Sequence, residues 1–183
     1  MASRLIELYN EDQAAREDHP YYGTPEYWEL RRADTHRRDE ARLLIDDRES
    51  LSPVELFCAA MLFQHSDELD DFKLAHDLAA RSAASGYRPA RWLSAASLDR
   101  WLMNQGLPQR FGTQIVPDGR RQRIWDIEAS TTDEDRAEWD VPPLSELEAR
   151  AEQLTRDEPM PPMEGASEWL KKSIERWRRE EGW

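Results

Sequence analysis

Carboxylates, guanidiniums and one histidine recur in this chain at spacings that let them act together. Asp12 and Arg16 stand four residues apart, as do Asp34 and Arg38, with Arg37 at the edge of the second pair. A carboxylate and a guanidinium so spaced share one helix face, and arginine grips carboxylate or phosphate oxygens through paired hydrogen bonds. Gln64 and His65 close the most apolar stretch of the chain. Histidine ordinarily titrates near neutrality, so His65 is the candidate for proton transfer, with Asp99 the candidate to orient or charge it. Arg16, Arg100 and Arg136 are candidates to hold anionic oxygens, while the amides and hydroxyl of Gln64, Gln109, Thr113 and Gln114 suit a peptide-like group. With Asp12 and Asp34 these residues form the expected ligand-binding set. The chemistry implied is acid-base work, such as hydrolysis, elimination or cyclisation, on a small anionic or amide-bearing ligand.

Other chemistries lack their residues. No two histidines have i, i+3 or i+4 spacing, there is no His-Glu-x-x-His, and a single cysteine, Cys58, excludes a cysteine-rich zinc site and an internal disulfide. No glycine-rich phosphate loop, Gly-x-Ser-x-Gly elbow or Cys-His pair occurs. Neither metal, cofactor nor covalent nucleophile is therefore expected.

Such residues act only if helices bring them to one place. Arg4 to Asp18 reads as a helix ended by Pro20 and Gly23, and Thr24 with Pro25 opens a second that runs to about Asp47. Ser52 and Pro53 open a third, Val54 to about His65, apolar on nearly every side and so expected to be enclosed. Ser66 reads as the cap of a fourth that ends near Gly86, and Arg88 to Gln105 as a fifth stopped by Gly106 and Pro108. Advancing by about 100° per residue puts Leu5, Tyr9, Asp12 and Arg16 on one stripe, and Tyr27, Leu30, Asp34, Arg38, Ala41 and Ile45 on another. Asp99 falls likewise among Trp92, Ala95, Ala96 and Met103, and His76 between Leu69, Phe72 and Ala83. Charges on buried stripes need partners. The functional reading makes them one pocket. The plain reading makes them helix salt bridges, a satisfied core histidine, and an Asp99 that accepts from an arginine or histidine on a neighbouring helix.

Beyond Gly106, Phe111 to Val116 and Arg121 to Ile127 flank Pro117-Asp118-Gly119, the signal for a small hairpin. Thr132 with Asp135 reads as a capping box opening a short helix through Trp139, and Leu144 to Leu154 as another helix. A proline-containing strap, Asp157 to Gly165, leads to an amphipathic helix from Ser167 to about Arg179 bearing Trp169 and Trp177. The expected fold is mainly α: a compact antiparallel helical domain over residues 1–155, with a helical-repeat-like alanine-rich helix pair and one small β-hairpin. Residues 156–183 add the strap and a helix packed on the body, since an uncovered helix with two tryptophans would expose an apolar patch.

Composition narrows the partners. The 183 residues carry a net charge of -13, which phosphate backbones repel, so nucleic acid is not an expected partner. Residues 128–158 hold eleven acids against three arginines, which reads as a solvated acidic face. The longest apolar run, Leu56 to Phe63, is far short of the roughly 18 residues a bilayer span needs, so no membrane is expected. The N-terminus meets charge at once and is not a secretory signal, which implies a cytoplasmic chain. A second function class remains beside the pocket: a helical scaffold or interaction domain whose buried polar set is architectural.

Several blocks carry a resemblance. Asp12-Gln13-x-x-Arg16, Asp34-x-x-Arg37, Gln64-His65-Ser66-Asp67, Leu98-Asp99-Arg100 and the stretch from Gly106 through Gln109 and Phe111-Gly112-Thr113 to Gln114 occur in the order seen in a bacterial family of unknown function. That family is recognisable by Gln-His-Ala-Asp, Asp-Arg and Gly-x-Pro-Gln-x-Tyr-Gly-Thr-Gln blocks. Asp135-Arg136 and Val141-Pro-Pro-Leu144 look like its ending, so the chain resembles it over residues 5 to 147. It departs at Phe111, where tyrosine is usual, at Arg37, where asparagine is common, and in a tail after about Thr155. The resemblance implies a mostly helical fold and carries no reaction.

Overall fold

The computed structural model describes residues 3–17, 20, 23–46 and 50–183, in two compact units, Met1–Ser97 and Leu98–Trp183. The sequence readings at Met1, Asp18 and Asp47 lie outside the described residues. The described residues are mainly helical, with one two-stranded antiparallel sheet among them. No described helix is long and apolar enough to cross a membrane.

In the first unit α1 (Arg4–Ala14), α2 (Pro25–Asp46) and α4 (Leu69–Ala84) surround α3 (Pro53–Gln64). Ser52 and Glu55 cap α3 reciprocally, each side chain serving the other's backbone N–H, and Pro53 occupies the first turn. Seven of its twelve residues are buried, and Leu56, Ala59, Ala60, Leu62 and Phe63 among them share a core with Leu5 and Leu8 of α1, Ala41 of α2 and Ala75, Leu78 and Ala79 of α4. Alanines at 59, 60, 75 and 79 let the helices approach closely. The fourth helix starts two residues later than expected, with Glu68 rather than Ser66 at its N-cap. Ser66 does not cap it, because its hydroxyl donates to Asp71 Oδ2 at 2.6 Å while accepting from the Glu68 N–H at 3.0 Å.

The helix α5 (Ala90–Met103) begins in the first unit and ends in the second. There β1 (Ile115–Pro117) pairs with β2 (Gln122–Ile124), a hairpin shorter than the apolar runs around it. Its turn forms because Asp118 Oδ1 accepts from the Arg120 and Arg121 N–H groups, both at 2.8 Å, while Gly119 takes φ 91°. The helices α6 (Asp133–Glu138), α7 (Leu144–Asp157) and α8 (Glu168–Glu181) follow. Thr132 and Asp135 form the capping box of α6. The apolar face of α8 buries Leu170, Ile174 and Trp177 against Val116, Trp125 and Met103. Trp125 lies edge-on to Trp169 and Trp177, with ring centroids 5.1 and 5.5 Å away, an arrangement that aligns the positive edge of one ring with the negative face of the next.

Candidate functional site

The candidate residues divide between the two units. In the first, Asp12 lies on the buried stripe of α1 and is 1% exposed. Arg16 Nη1 donates to its Oδ1 at 2.7 Å and Gln13 Nε2 to its Oδ2 at 2.9 Å. His65 is the C-cap of α3, and its Nδ1 stands 3.2 and 3.1 Å from the two Asp12 oxygens. A carboxylate only accepts, so Nδ1 carries the proton and Nε2 is left without a partner among the described residues. Burial pushes the Asp12 carboxyl up, but the hydrogen bond and charge of His65, then Arg16 and Gln13, outweigh it and hold the group below its ordinary value. The carboxylate on the His65 ring is Asp12, not the Asp99 that the sequence suggests for the orienting role.

Asp34, 2% exposed, is the second buried carboxylate. Arg16, in the turn just after α1, reaches it with Nη2 on Oδ2 at 2.8 Å and Nη1 on Oδ1 at 3.1 Å, and Arg37 Nη2 meets Oδ1 at 2.6 Å. The Arg37 Nε–H is buried with no hydrogen-bond acceptor among the described residues and lies 3.9 Å from Asp12 Oδ1. Arg31 Nη1 and Arg38 Nη1 donate to the His65 carbonyl at 2.6 and 3.4 Å, so two guanidiniums stand at the negative end of α3. Arg31 also pairs with Asp67, and Arg42 with Asp71, whose Oδ2 is 3.5 Å from Arg38 Nε. Five arginines thus face four aspartates around His65. Arg31 and Arg42 were absent from the sequence-derived set although they share the 31, 34, 38, 42 stripe of α2, a signal that periodicity alone contained. Gln64, the last residue of α3, is buried beside this group in sequence.

In the second unit the polar residues converge on a loop. Asp99 is fully buried, and its partners are neither arginine nor histidine side chains as the plain reading expected. Oδ1 accepts from the Arg110 and Phe111 N–H groups at 2.7 and 2.9 Å; Oδ2 accepts from the Thr113 N–H at 3.0 Å and its hydroxyl at 2.8 Å. Burial raises the carboxyl above its ordinary value, and these four donors offset only part of that. Gln109, also fully buried, donates from Nε2 to the Gln114 and Trp125 carbonyls and accepts the Gln114 N–H. Arg136 Nε donates to the Phe111 carbonyl at 2.8 Å and its Nη1 to Asp133 at 2.9 Å. Arg100 Nε donates to Gln114 Oε1 at 3.0 Å. Gly112 at φ 95° is required where the loop passes Ile127 and Leu147, since a Cβ there would meet their methyl carbons at 3.1 and 3.2 Å.

The remaining candidates are core groups. His76 Nδ1 lies 2.9 Å from the Ser94 carbonyl, a satisfied histidine. Burial raises the Cys58 thiol to about 11, which keeps it a thiol at neutral pH. Among the described residues no group of three or more histidine, cysteine or acidic side chains could hold a metal ion. Comparison with protein-family models, curated proteins and solved structures finds no match to this chain.

Proposed function

We propose that the first unit is a small-molecule site that performs acid-base chemistry on an anionic ligand, with His65 as the proton-transfer group and Asp12 as its orienting carboxylate. One observation carries this reading: Asp12, itself fixed by Arg16 and Gln13, engages His65 Nδ1 and leaves Nε2 without a partner among the described residues. A fixed Nδ1 proton sets the tautomer, so in the neutral ring Nε2 is the base, and after protonation it is the acid. The surplus guanidinium and the buried Arg37 Nε–H favour an anionic ligand, a carboxylate or phosphate, in a chain whose net charge is -13. Cytoplasmic placement belongs to the same proposal.

The second reading, an architectural network, is favoured in the second unit, where Asp99, Gln109 and Arg136 have their polar atoms engaged by the loop backbone and by one another's neighbours. Titration calorimetry with inorganic phosphate and with succinate, on the wild-type chain and on His65→Gln, tests the proposal. Saturable binding of either anion that is lost in His65→Gln at an unchanged melting temperature supports it. No binding of either anion, or equal binding by the variant, overturns it and leaves the cluster an architectural one.

A further inference from the structure

The turn of the hairpin buries a carboxylate oxygen that no described residue satisfies. Asp118 is 1% exposed, and its Oδ1 accepts the Arg120 and Arg121 N–H groups that close the turn, which fixes the plane of the carboxylate. Its Oδ2 is buried with no hydrogen-bond donor among the described residues. Arg121 Nε at 3.6 Å and Arg123 Nη1 at 3.7 Å lie near it, both too far for a hydrogen bond. A buried acceptor left unsatisfied is destabilising, so an oxygen held this way calls for a donor from outside the chain.

Asp118 lines a cavity of about 190 Å³ together with Arg120, Arg121, Glu181 and Trp183. That volume is below the range of drug-sized ligand sites and suits one small ion with a few waters. Trp183 is set there by the end of α8, where Gly182 takes φ 72° and the Gly182 and Trp183 N–H groups both donate to the Arg178 carbonyl. The guanidiniums of Arg120 and Arg178 lie over its ring, 4.8 and 5.2 Å from the centroid, and neither has a carboxylate partner among the described residues. Stacking holds a guanidinium by its face and leaves its edge donors open. Glu181, by contrast, is engaged by Arg121 and Arg123 at 2.9 Å each and by the Trp183 indole N–H at 3.1 Å. Arg120, Arg121, Arg123 and Arg178 thus stand around two carboxylates, a local excess of positive charge in a chain whose net charge is -13.

We propose that this cavity binds inorganic hydrogenphosphate, independently of the His65 site. The open edge of Arg120 and the excess charge require an anion, and the open Asp118 Oδ2 requires that the anion carry a donor. A cation would meet Arg121 and Arg123 beside Oδ2, and an anion without a proton would set its oxygens against the carboxylate. At about pH 7.5 hydrogenphosphate keeps one O–H, which donates to Oδ2 while Arg120 donates to another of its oxygens. A phosphate ester, with a second pKa of about 6, has largely lost that proton, so the free ion is the ligand rather than an esterified phosphoryl group. Arg121, whose side chain is half exposed, is the cover that turns aside to let the O–H reach Oδ2.

The probes are inorganic phosphate, sulfate and methyl phosphate, each titrated at about pH 7.5 and constant ionic strength into the isotopically labelled full chain while the amides of residues 119–121 and the Trp183 indole N–H are followed by magnetic resonance. Phosphate should shift these groups saturably. Sulfate, which carries no proton, should bind about tenfold or more weakly, the loss of one hydrogen bond to a charged acceptor, and methyl phosphate should also bind more weakly. Arg120→Gln keeps the backbone N–H that the turn uses and should weaken phosphate by about tenfold. Asp118→Asn keeps one oxygen for the turn and puts an amide donor in place of Oδ2, so sulfate should then bind as well as phosphate. No saturable shift with phosphate, equal binding of sulfate by the wild-type chain, undiminished phosphate binding by Arg120→Gln, or a phosphate preference that survives in a folded Asp118→Asn chain overturns the proposal. If Asp118→Asn does not fold, the wild-type and Arg120→Gln titrations decide it. The His65 amide reports the first site in the same spectra, and succinate, which has no proton to donate at this pH, is a ligand of that site alone, so either reading can fail without the other.

Discussion

Replacing Asp99 probes how the loop 110–113 is held. In Asp99→Ala the Arg110, Phe111 and Thr113 N–H groups lose their acceptor together. A buried donor left unsatisfied costs about 1–3 kcal/mol. Phe111 is buried and bears the full cost, whereas the exposed Arg110 recovers part of its loss from water. The expected destabilisation is about 3–5 kcal/mol. Asp99→Asn keeps one oxygen, which can serve Arg110 and Phe111, and its amide nitrogen can donate to the Thr113 hydroxyl once that rotates. Only the Thr113 N–H is then orphaned, so the cost falls to about 1–3 kcal/mol. Urea denaturation gives the total, and hydrogen exchange at the amides of residues 110, 111 and 113 localises it. The pH dependence has a defined sign. Burial raises the folded carboxyl above its ordinary 3.8, so the native state binds the proton more readily than the unfolded chain does. Asp99 therefore makes wild-type stability fall as pH rises from about 3.8 through the folded value, a contribution the Asn variant lacks. The wild-type advantage over Asp99→Asn should narrow across that window. Wild-type exchange rates at all three amides in Asp99→Ala, or an advantage that widens with pH, would refute this account of the loop.

Three further outcomes are expected. Asp12→Asn should cost about 2–4 kcal/mol in denaturant melts, because it leaves the Arg16 charge with one buried carboxylate fewer; since Asp12 is held below its ordinary value, this stabilisation should be present above the ordinary carboxyl range and fade as pH falls through the folded value. Trp177→Ala removes a ring that is 1% exposed together with its hydrogen bond to Asp126 at 3.0 Å, and should lower the stability of the second unit by about 3–5 kcal/mol, read as lost exchange protection in β1 and β2. Cys58 should react with a thiol reagent at pH 8 only as fast as the first unit unfolds, because its thiol is buried and raised to about 11; rapid labelling of the native chain would contradict that burial.

What the sequence determined is local. Ser52-Pro53 and Thr132-x-x-Asp135 specify helix starts through bonds that close within four residues, and the structure holds both caps. The enclosed α3 is legible because its apolar residues cover every side, and the amphipathic 167–179 stretch because its tryptophans share one face. Periodicity also marked Asp12, Asp34 and Asp99 as lying on buried stripes, and all three are buried. Partners were decided only in three dimensions. His65 meets Asp12 across 53 residues of sequence, and no spacing rule reaches that far. Asp99 is satisfied mainly by backbone N–H groups, which every residue but proline carries and which therefore leave no mark in the sequence. Ser66 obeys the cap grammar yet serves Asp71, because a side-chain oxygen goes to the strongest donor or acceptor that packing delivers.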